Sequence, residues 1–333
     1  MKRLTWIDVA KGLGILLVVL AHTRFPTKEM SWWINSFHMP LFFVVAGLCY
    51  DESRYPSLLT YLKRKCVALV YPYFTLSFLV IGLVWALYWG PDAAWTPLPM
   101  LKNMLRGSPG GAFWFITVLL QVEIFYAAFS QCVRMPGVRI ATLLLLSFLA
   151  AYLIPDHLPY FFDTGLVALF FYGLGHFCRP HLQKMLVSPR VDLWFAGVFV
   201  VAVIIDLVLL IGVYRYKATF AARDLKAPAF YFLLAALGTA ILLMVSIAWD
   251  RVAAARTGWL GACMRWGNGA IRFLARNTVV ILAFHNFLGL CRSSWHISGL
   301  VSQILEFLLL GLLLWLLSGP LHFIISPPLK SWR

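Results

Sequence analysis

The stretch 193–213, LWFAGVFVVAVIIDLVLLIGV, decides the fold class of this chain because Asp206 is its single ionisable residue. An α-helix rises about 1.5 Å per residue, so the stretch reaches roughly 30 Å, the thickness of a bilayer's hydrocarbon core. Backbone groups inside lipid must be hydrogen-bonded within their own segment, which requires helices. Similar apolar runs recur, so the sequence predicts an all-α bundle of about ten transmembrane helices, at 7–24, 32–49, 66–89, 112–132, 138–155, 160–178, 193–213, 228–249, 271–291 and 300–325.

The composition supports a membrane environment. Of the 333 residues, 62% are hydrophobic and 12% are charged, whereas soluble domains have about 45–50% apolar and about 25% charged residues. We find no internal repeat and no low-complexity linker. The sequence therefore predicts one membrane domain over residues 1–333, without a separate soluble domain.

The formal charge of +15 reflects membrane topology rather than nucleic-acid binding, because the basic residues lie in the breaks between apolar runs. Eighteen of the 28 Lys and Arg residues lie in the breaks on the same side as the N-terminus, and nine lie on the other side. The positive-inside rule then predicts that both termini are cytoplasmic. The outer break 214–227 is the exception, since it holds four basic residues.

Two long breaks predict ordered structure. The outer break at 90–111 is rich in Pro and Gly, which favours an ordered or re-entrant lid. The inner break at 250–270 predicts an amphipathic interfacial helix around Trp259 to Arg265. The six cysteines are scattered and form no C-x-x-C pair, so we expect neither a disulfide framework nor a metal site.

The first predicted span contains three ionisable residues, which are costly in lipid. Asp8 and Lys11 are three residues apart and can pair on one helix face. His22 lies eleven residues after Lys11, on the same face and about 16 Å further outward. Alternatively, Lys11 snorkels to one interface and His22 lies at the other.

The second predicted span opens with Phe37-His38-Met39-Pro40. Proline is tolerated in the first turn, so Pro40 predicts a helix that starts just after His38. Two antiparallel spans would then place His22 and His38 at the same outer level. Such imidazoles can serve as a general base and an orienting group for a hydroxyl nucleophile, or they can be structural.

These residues resemble the opening of the membrane-bound acyltransferase-3 family, especially its branch similar to fucose 4-O-acetylases. The first block of similarity runs from Ile7-Asp8 through His22 to Ser36-Phe37-His38-Met39-Pro40-Leu41-Phe42-Phe43 and Ala46-Gly47. Weaker similarities follow in Lys63-Arg64-Lys65, Tyr71-Pro72-Tyr73-Phe74, Phe113-Trp114-Phe115 and Ala275-Arg276-Asn277-Thr278 ahead of His285. Their spacing covers the whole chain.

The resemblance implies a bacterial inner-membrane enzyme that moves an acyl group, usually acetyl from acetyl-CoA, onto a sugar hydroxyl of a surface glycan. By the resemblance His22 is the catalytic histidine, with His38 and Asp8 as further catalytic candidates. Lys11 stands where many relatives have arginine, and lysine offers a point charge in place of a bidentate fork. His22 either takes the proton of the sugar hydroxyl or accepts the acetyl group itself, and the sequence leaves both routes open.

The co-substrate acetyl-CoA is polyanionic, so its phosphates would lie against inner basic groups. The candidates are Lys11, Lys63, Arg64, Lys65, Arg272 and Arg276. The acceptor, a glycan or lipid-linked sugar, would approach from the outer side. We expect no metal cofactor.

Three further residues are candidates for lining the substrate cavity: Trp114, Glu123 and His285. Glu123 is equally well interpreted as a buried, hydrogen-bonded carboxyl, and His285 as a core histidine. Asp206 needs a cavity or a partner, which the sequence does not identify.

Other functions fit parts of the pattern. A transporter or a flippase for a lipid-linked glycan would use charges inside the membrane, and it predicts broken helices and two related halves. An unrelated O-acyltransferase of the Asn/His type would make His285 catalytic. A non-enzymatic scaffold leaves Asp8, Lys11 and His22 unexplained.

Overall fold

The computed structural model describes residues 4–23, 26–51, 57–88, 90–155, 158–187, 191–255, 257–294 and 300–325. Within these ranges the secondary structure is helical, and the one extended pairing is an isolated bridge between Thr219 and Asp224. Several of the basic residues that were counted to predict the topology lie outside the described residues. They are Lys2, Arg3, Arg24, Arg54, Arg190, Arg256, Lys330 and Arg333.

The described part of the chain forms thirteen α-helices. They are α1 Thr5–Ala21, α2 Lys28–Leu48, α3 Leu58–Leu87, α4 Pro97–Leu105, α5 Trp114–Cys132, α6 Pro136–Leu153, α7 Phe162–Val187, α8 Val191–Leu209, α9 Pro228–Ala255, α10 Gly258–Arg276, α11 Thr278–Ser294, α12 Leu300–Ser318 and α13 His322–Ile325. A π-helical turn, Leu210–Tyr214, extends α8. The predicted all-α class is confirmed.

The chain is a multi-pass membrane protein. Among the described residues six segments are long and apolar enough to cross a bilayer, and α10 with α11 would form a seventh as a bent pair. The six are Leu58–Leu87, Gly111–Cys132, Pro136–Leu153, Pro159–Gln183, Phe195–Tyr214 and Pro228–Ala255. On α8 the side chains of Val200, Ile204 and Val208 are exposed, as expected for a surface that contacts lipid.

The chain divides into two compact units. The first contains α1, α2, the second half of α5 and α6 to α10. The second contains α3, α4, the first half of α5 and α11 to α13.

The predicted start of the second span after His38 is wrong. Helix α2 begins ten residues earlier, at Lys28, where the Thr27 side chain accepts a hydrogen bond from the Met30 backbone N–H (3.2 Å). Pro40 is inside the helix and provides no N–H for the Ser36 carbonyl. Burial outweighs that loss, because Phe37 and Leu41 on either side are fully buried.

The predicted span at 271–291 is also wrong as a single helix. The structure ends α10 at Arg276 and begins α11 at Thr278. Asn277 lies at the break, and its carbonyl accepts a hydrogen bond from the Ile281 N–H (3.0 Å). Asparagine is favoured at such a helix start, which explains the interruption.

The described residues of the two long breaks include helices. The break at 90–111 contains α4, and the Tyr73–Met104 hydrogen bond (2.6 Å, phenol to carbonyl) joins α4 to α3. The break at 250–270 contains the end of α9 and most of α10, a longer helix than the predicted Trp259–Arg265 segment. Trp259 and Trp266, seven residues apart, are both exposed on it.

Candidate functional site

Helix α1, which carries the first catalytic candidates, lies in the core of the first unit. Its Val9 and Ala10 are fully buried. Contact with α10 is close at Gly12, where a Cβ would lie 2.3 Å from the Ile271 carbonyl oxygen. A larger residue at this position would therefore push the two helices apart.

The charged face of α1 has polar residues at its two ends only. Asp8 and Lys11 are half-buried near the N-terminal end, and His22, the residue after the last helical turn, is exposed. Between them on the same face, Ile15 and Val18 are buried. Packed apolar side chains therefore separate Lys11 from His22.

The histidines at the end of α1 and within α2 differ in burial. Gly14 of α1 contacts Leu41 of α2, since a Cβ on Gly14 would lie 2.6 Å from Leu41 Cδ2. Counting from this contact toward the C-terminus of α1 and the N-terminus of α2, at about 1.5 Å per residue, His22 is about 12 Å away and His38 about 5 Å. The equal level expected from the sequence is not observed. His38 is buried and His22 is exposed, yet the rings remain close enough to interact electrostatically.

Both histidines are oriented by their own helix backbone. The His22 Nδ1 bonds to the Val18 carbonyl (2.8 Å), and the His38 Nδ1 bonds to the Ile34 carbonyl (2.7 Å). A carbonyl only accepts, so Nδ1 carries the proton and the lone pair of the neutral ring is on Nε2. His22 thus has the tautomer that a general base requires. Asp8 is fourteen residues from His22, about 21 Å along α1, so it can act only at the N-terminal end of the helix.

A lysine that the sequence analysis did not select lies near this histidine pair. Lys217 belongs to the loop between α8 and α9, and its charge acts on both His22 and His38. The sequence signal was the basic content of the 214–227 break, which we treated only as an exception to the topology count.

Asp206 has a partner on α2. Its carboxylate accepts a hydrogen bond from the Trp33 indole N–H (2.7 Å), and the aspartate side chain is buried. Trp33 and His38 are five residues apart, about 140° around the helix. Asp206 therefore joins α8 to α2 on a different face from the histidine pair.

Basic residues also lie near the N-terminal end of α1. Asp250 of α9 accepts hydrogen bonds from the Thr5 hydroxyl and from Arg272 of α10 (3.1 Å). This contact joins α1, α9 and α10. Arg276 is exposed in the last turn of α10, and Lys11 is half-buried on α1.

In the second unit, the three basic candidates on α3 have different surroundings. Lys63 and Arg64 are exposed. Lys65 pairs with Glu123 of α5 at 2.8 Å, and the same carboxylate accepts a hydrogen bond from the Tyr61 hydroxyl. Lys65 therefore neutralises a buried carboxylate, a contact over 58 residues of sequence that no local pattern predicts.

The three cavity candidates do not form one cluster. Trp114 is buried against the ring of Phe161, and it is nine residues from Glu123, which places them on opposite faces of α5. His285 on α11 is buried, and its Nδ1 bonds to the Ile281 carbonyl (2.8 Å). His285 and His22 thus share a tautomer and differ in exposure. The described residues include no group of three side chains suited to hold a metal ion.

Comparison with known proteins gives one finding. The sequence model of the acyltransferase-3 family, described as an acyltransferase domain, matches residues 4–326. No curated protein and no solved structure matches the chain.

Proposed function

Because this chain belongs to the acyltransferase-3 family and is an acyltransferase, we propose that it moves acetyl from acetyl-CoA to a sugar hydroxyl of a bacterial surface polysaccharide. The observation that carries this proposal is the exposed His22 ring, whose Nδ1 is bonded to Val18 and whose Nε2 holds the lone pair. The opening motif, which resembles the fucose 4-O-acetylase-like branch, supports a sugar acceptor.

We also propose that the chain crosses the bacterial inner membrane ten times. The six apolar segments and the α10–α11 pair would be joined by α1, α2 and α12. Helices α1 and α2 have 17 and 21 residues, about 26 and 32 Å. They carry more polar residues than the six because they would line the site. Ten crossings put both termini on one side, and the excess of Lys and Arg supports the cytoplasm.

In the proposed reaction His22 Nε2 removes the proton of the acceptor hydroxyl. The hydroxyl oxygen then attacks the thioester carbonyl, the C–S bond breaks, and the CoA thiolate takes the proton from the imidazolium. In the alternative route, Nε2 itself accepts the acetyl group before the sugar does. The lone pair on Nε2 serves both routes.

The CoA phosphates would bind basic groups at the cytoplasmic side. Lys11 and Arg276 are candidates in the first unit, and Lys63 and Arg64 are separate candidates in the second. Lys65 is a weaker candidate because Glu123 already balances its charge. Lys11 lies about 16 Å from His22 along α1. The pantetheine arm would have to bridge this distance along a path beside the packed Ile15 and Val18 side chains.

The test is O-acetylation of the surface polysaccharide, measured by proton NMR. Cells lacking the protein are complemented with the wild type, His22→Ala or His285→Ala, each quantified in the membrane. His285 is the matched control, because its ring has the same backbone hydrogen bond but is buried. We expect acetyl signals with wild type and His285→Ala, and a loss of at least a hundredfold with His22→Ala.

Two results would contradict the proposal. If acetylation is the same with and without the protein, a transporter or flippase becomes the better assignment. If His285→Ala abolishes acetylation and His22→Ala does not, the enzyme acts by the Asn/His type of mechanism.

A further inference from the structure

One side of helix α10 is packed against the first unit. Its buried row consists of residues that are each seven positions apart, Gly261, Asn268 and Ala275. Seven residues complete almost two helical turns, so these residues share one face. The backbone of α1 is close on this side, where a Cβ on Gly12 would lie 2.3 Å from the Ile271 carbonyl oxygen. Helix α10 is therefore fixed to α1 by its buried side.

The opposite side of α10 carries a row of aromatic rings. Trp259 and Trp266 are 79% and 80% exposed, and Phe273 is 38% exposed. These three residues, the aromatic row, are again seven positions apart and lie about 160° around the helix from the buried row. Helices that lie in the plane of a bilayer interface have such a face, and Trp is favoured at that depth. The aromatic row is thus suited to contact lipid.

A row of arginines runs beside the aromatic row. Arg265, Arg272 and Arg276 lie within about 40° of one another and about 100° from the aromatic row. Arg265 and Arg276 are exposed, whereas Arg272 pairs with Asp250 of α9 (3.1 Å between the nitrogen and the oxygen). The sequence of α10 contains no acidic residue. Two exposed positive charges therefore lie along the edge of the aromatic row.

The two rows match two adjacent layers of a membrane surface. When the aromatic rings point into the boundary of the acyl chains, side chains about 100° around the helix lie at the level of the headgroups. A guanidinium group there forms charge-assisted hydrogen bonds with a lipid phosphate. Phosphatidylcholine presents its phosphate next to a cationic choline, whereas an anionic phospholipid does not. The arginines therefore favour anionic phospholipid.

We propose that α10 binds anionic phospholipid, with the aromatic row at the boundary of the acyl chains and Arg265 and Arg276 on the phosphates. This inference does not depend on the proposed reaction. Lipid can occupy the surface without displacing α1, because α1 packs on the opposite side of α10. Arg276 would then bind a lipid phosphate, which leaves Lys11 as the stronger candidate of the first unit for CoA.

The experiment measures the quenching of tryptophan emission in full-length protein held in phosphatidylcholine nanodiscs. Brominated phosphatidylcholine or brominated phosphatidylglycerol is added in increasing mole fraction, and its bromine atoms quench indoles that they contact. The chain has 14 Trp residues. Each emission is therefore compared with that of a Trp259→Phe/Trp266→Phe counterpart, so that the difference reports these two rings alone.

The test variant is Arg265→Gln/Arg276→Gln, which removes the two exposed charges of α10. The matched control is Lys102→Gln/Arg106→Gln, which removes two exposed charges at α4. A further arm repeats the wild-type measurement in about 1 M salt, where the Debye length is about 3 Å. The salt arm tests the charge contribution in a protein without any substitution.

In the wild type, half-maximal quenching should need an about fivefold lower mole fraction of phosphatidylglycerol than of phosphatidylcholine. This factor corresponds to the contribution of one arginine near an anionic lipid surface, about 1 kcal/mol. The two lipids should quench equally in Arg265→Gln/Arg276→Gln and in high salt. The variant Lys102→Gln/Arg106→Gln should keep the wild-type preference.

Three outcomes overturn the inference. If both lipids quench the wild type equally at low salt, α10 contacts lipid without selecting the headgroup. If neither lipid quenches the two rings, another protein surface, such as a second copy of the chain, covers the aromatic row. If the preference survives Arg265→Gln/Arg276→Gln, other basic residues select the lipid. Quenching does not require acyl transfer, so a failure of the proposed function would leave this test unchanged.

Discussion

Replacement of Lys65 by methionine should destabilise the protein, whereas replacement of Lys63 should not. The two lysines are neighbours on α3, and both were candidates for the CoA phosphates. Only Lys65 contacts a buried carboxylate, Glu123, at 2.8 Å. The change Lys65→Met leaves that carboxylate without its cation while keeping most of the side-chain volume.

The magnitude follows from the burial of the pair. Removing one partner of a fully buried ion pair costs about 3–5 kcal/mol, and exposed pairs contribute about 0–1 kcal/mol. The Glu123 side chain is 5% exposed and that of Lys65 is 28% exposed. The remaining Tyr61 hydrogen bond still stabilises the carboxylate. We therefore expect Lys65→Met to lower the free energy of unfolding by about 2 kcal/mol.

The assay is thermal unfolding in detergent, with the KM for acetyl-CoA measured in parallel. Lys65→Met should lower the Tm, and the double variant Lys65→Met with Glu123→Gln should recover most of the loss, because the buried group is then neutral. Lys63→Met is the matched control and should leave the Tm unchanged. If the Tm of Lys65→Met equals that of wild type and only the KM for acetyl-CoA rises, the pair is not structural and Lys65 binds the donor.

Two further substitutions test the packing of the first unit. Arg223→Gln removes the cation that pairs with the buried Asp163 and should lower the free energy of unfolding by about 3–5 kcal/mol. Thermal unfolding measures this loss against Lys226→Gln, which removes an exposed ion pair. Equal melting curves for the two variants would contradict this expectation. Gly47→Leu should sharply reduce the folded yield in size-exclusion profiles, because a Cβ there would lie 1.9 Å from the Tyr172 carbonyl oxygen. Gly82→Leu is its control, since its Cβ would meet no atom within 4 Å, and an equal loss from both would refute the packing argument.

The helical class could be predicted from the sequence because apolar run length is a local property. The stretch 193–213 is long and apolar enough by itself, and the structure places α8 and its π-helical extension over nearly the same residues. The errors arose where local rules compete with packing. Pro40 predicted a helix start, but the buried rings around it continue the helix on both sides. Hydropathy alone predicts one continuous helix at 271–291, but the structure has a break between two helices at Asn277.

The side-chain contacts of the candidate site could be predicted only in part. Helical spacing correctly placed Asp8, Lys11 and His22 on one face, since that depends on 3.6 residues per turn. The Lys65–Glu123 pair joins residues 58 positions apart, and the Trp33–Asp206 hydrogen bond joins residues 173 apart. Such pairings depend on which helices pack together, and one sequence does not contain that information.

The orientation of His22 shows how a helix end can prepare a base. His22, His38 and His285 each bond through Nδ1 to the carbonyl four residues earlier, so helix geometry alone gives all three the same tautomer. The difference lies in position, because His38 and His285 are inside helices and buried while His22 follows the last turn of α1 and is exposed. A substrate hydroxyl can approach only an exposed ring. The end of α1 at Ala21 is therefore the feature that makes His22, rather than its two equivalents, the base of the proposed reaction.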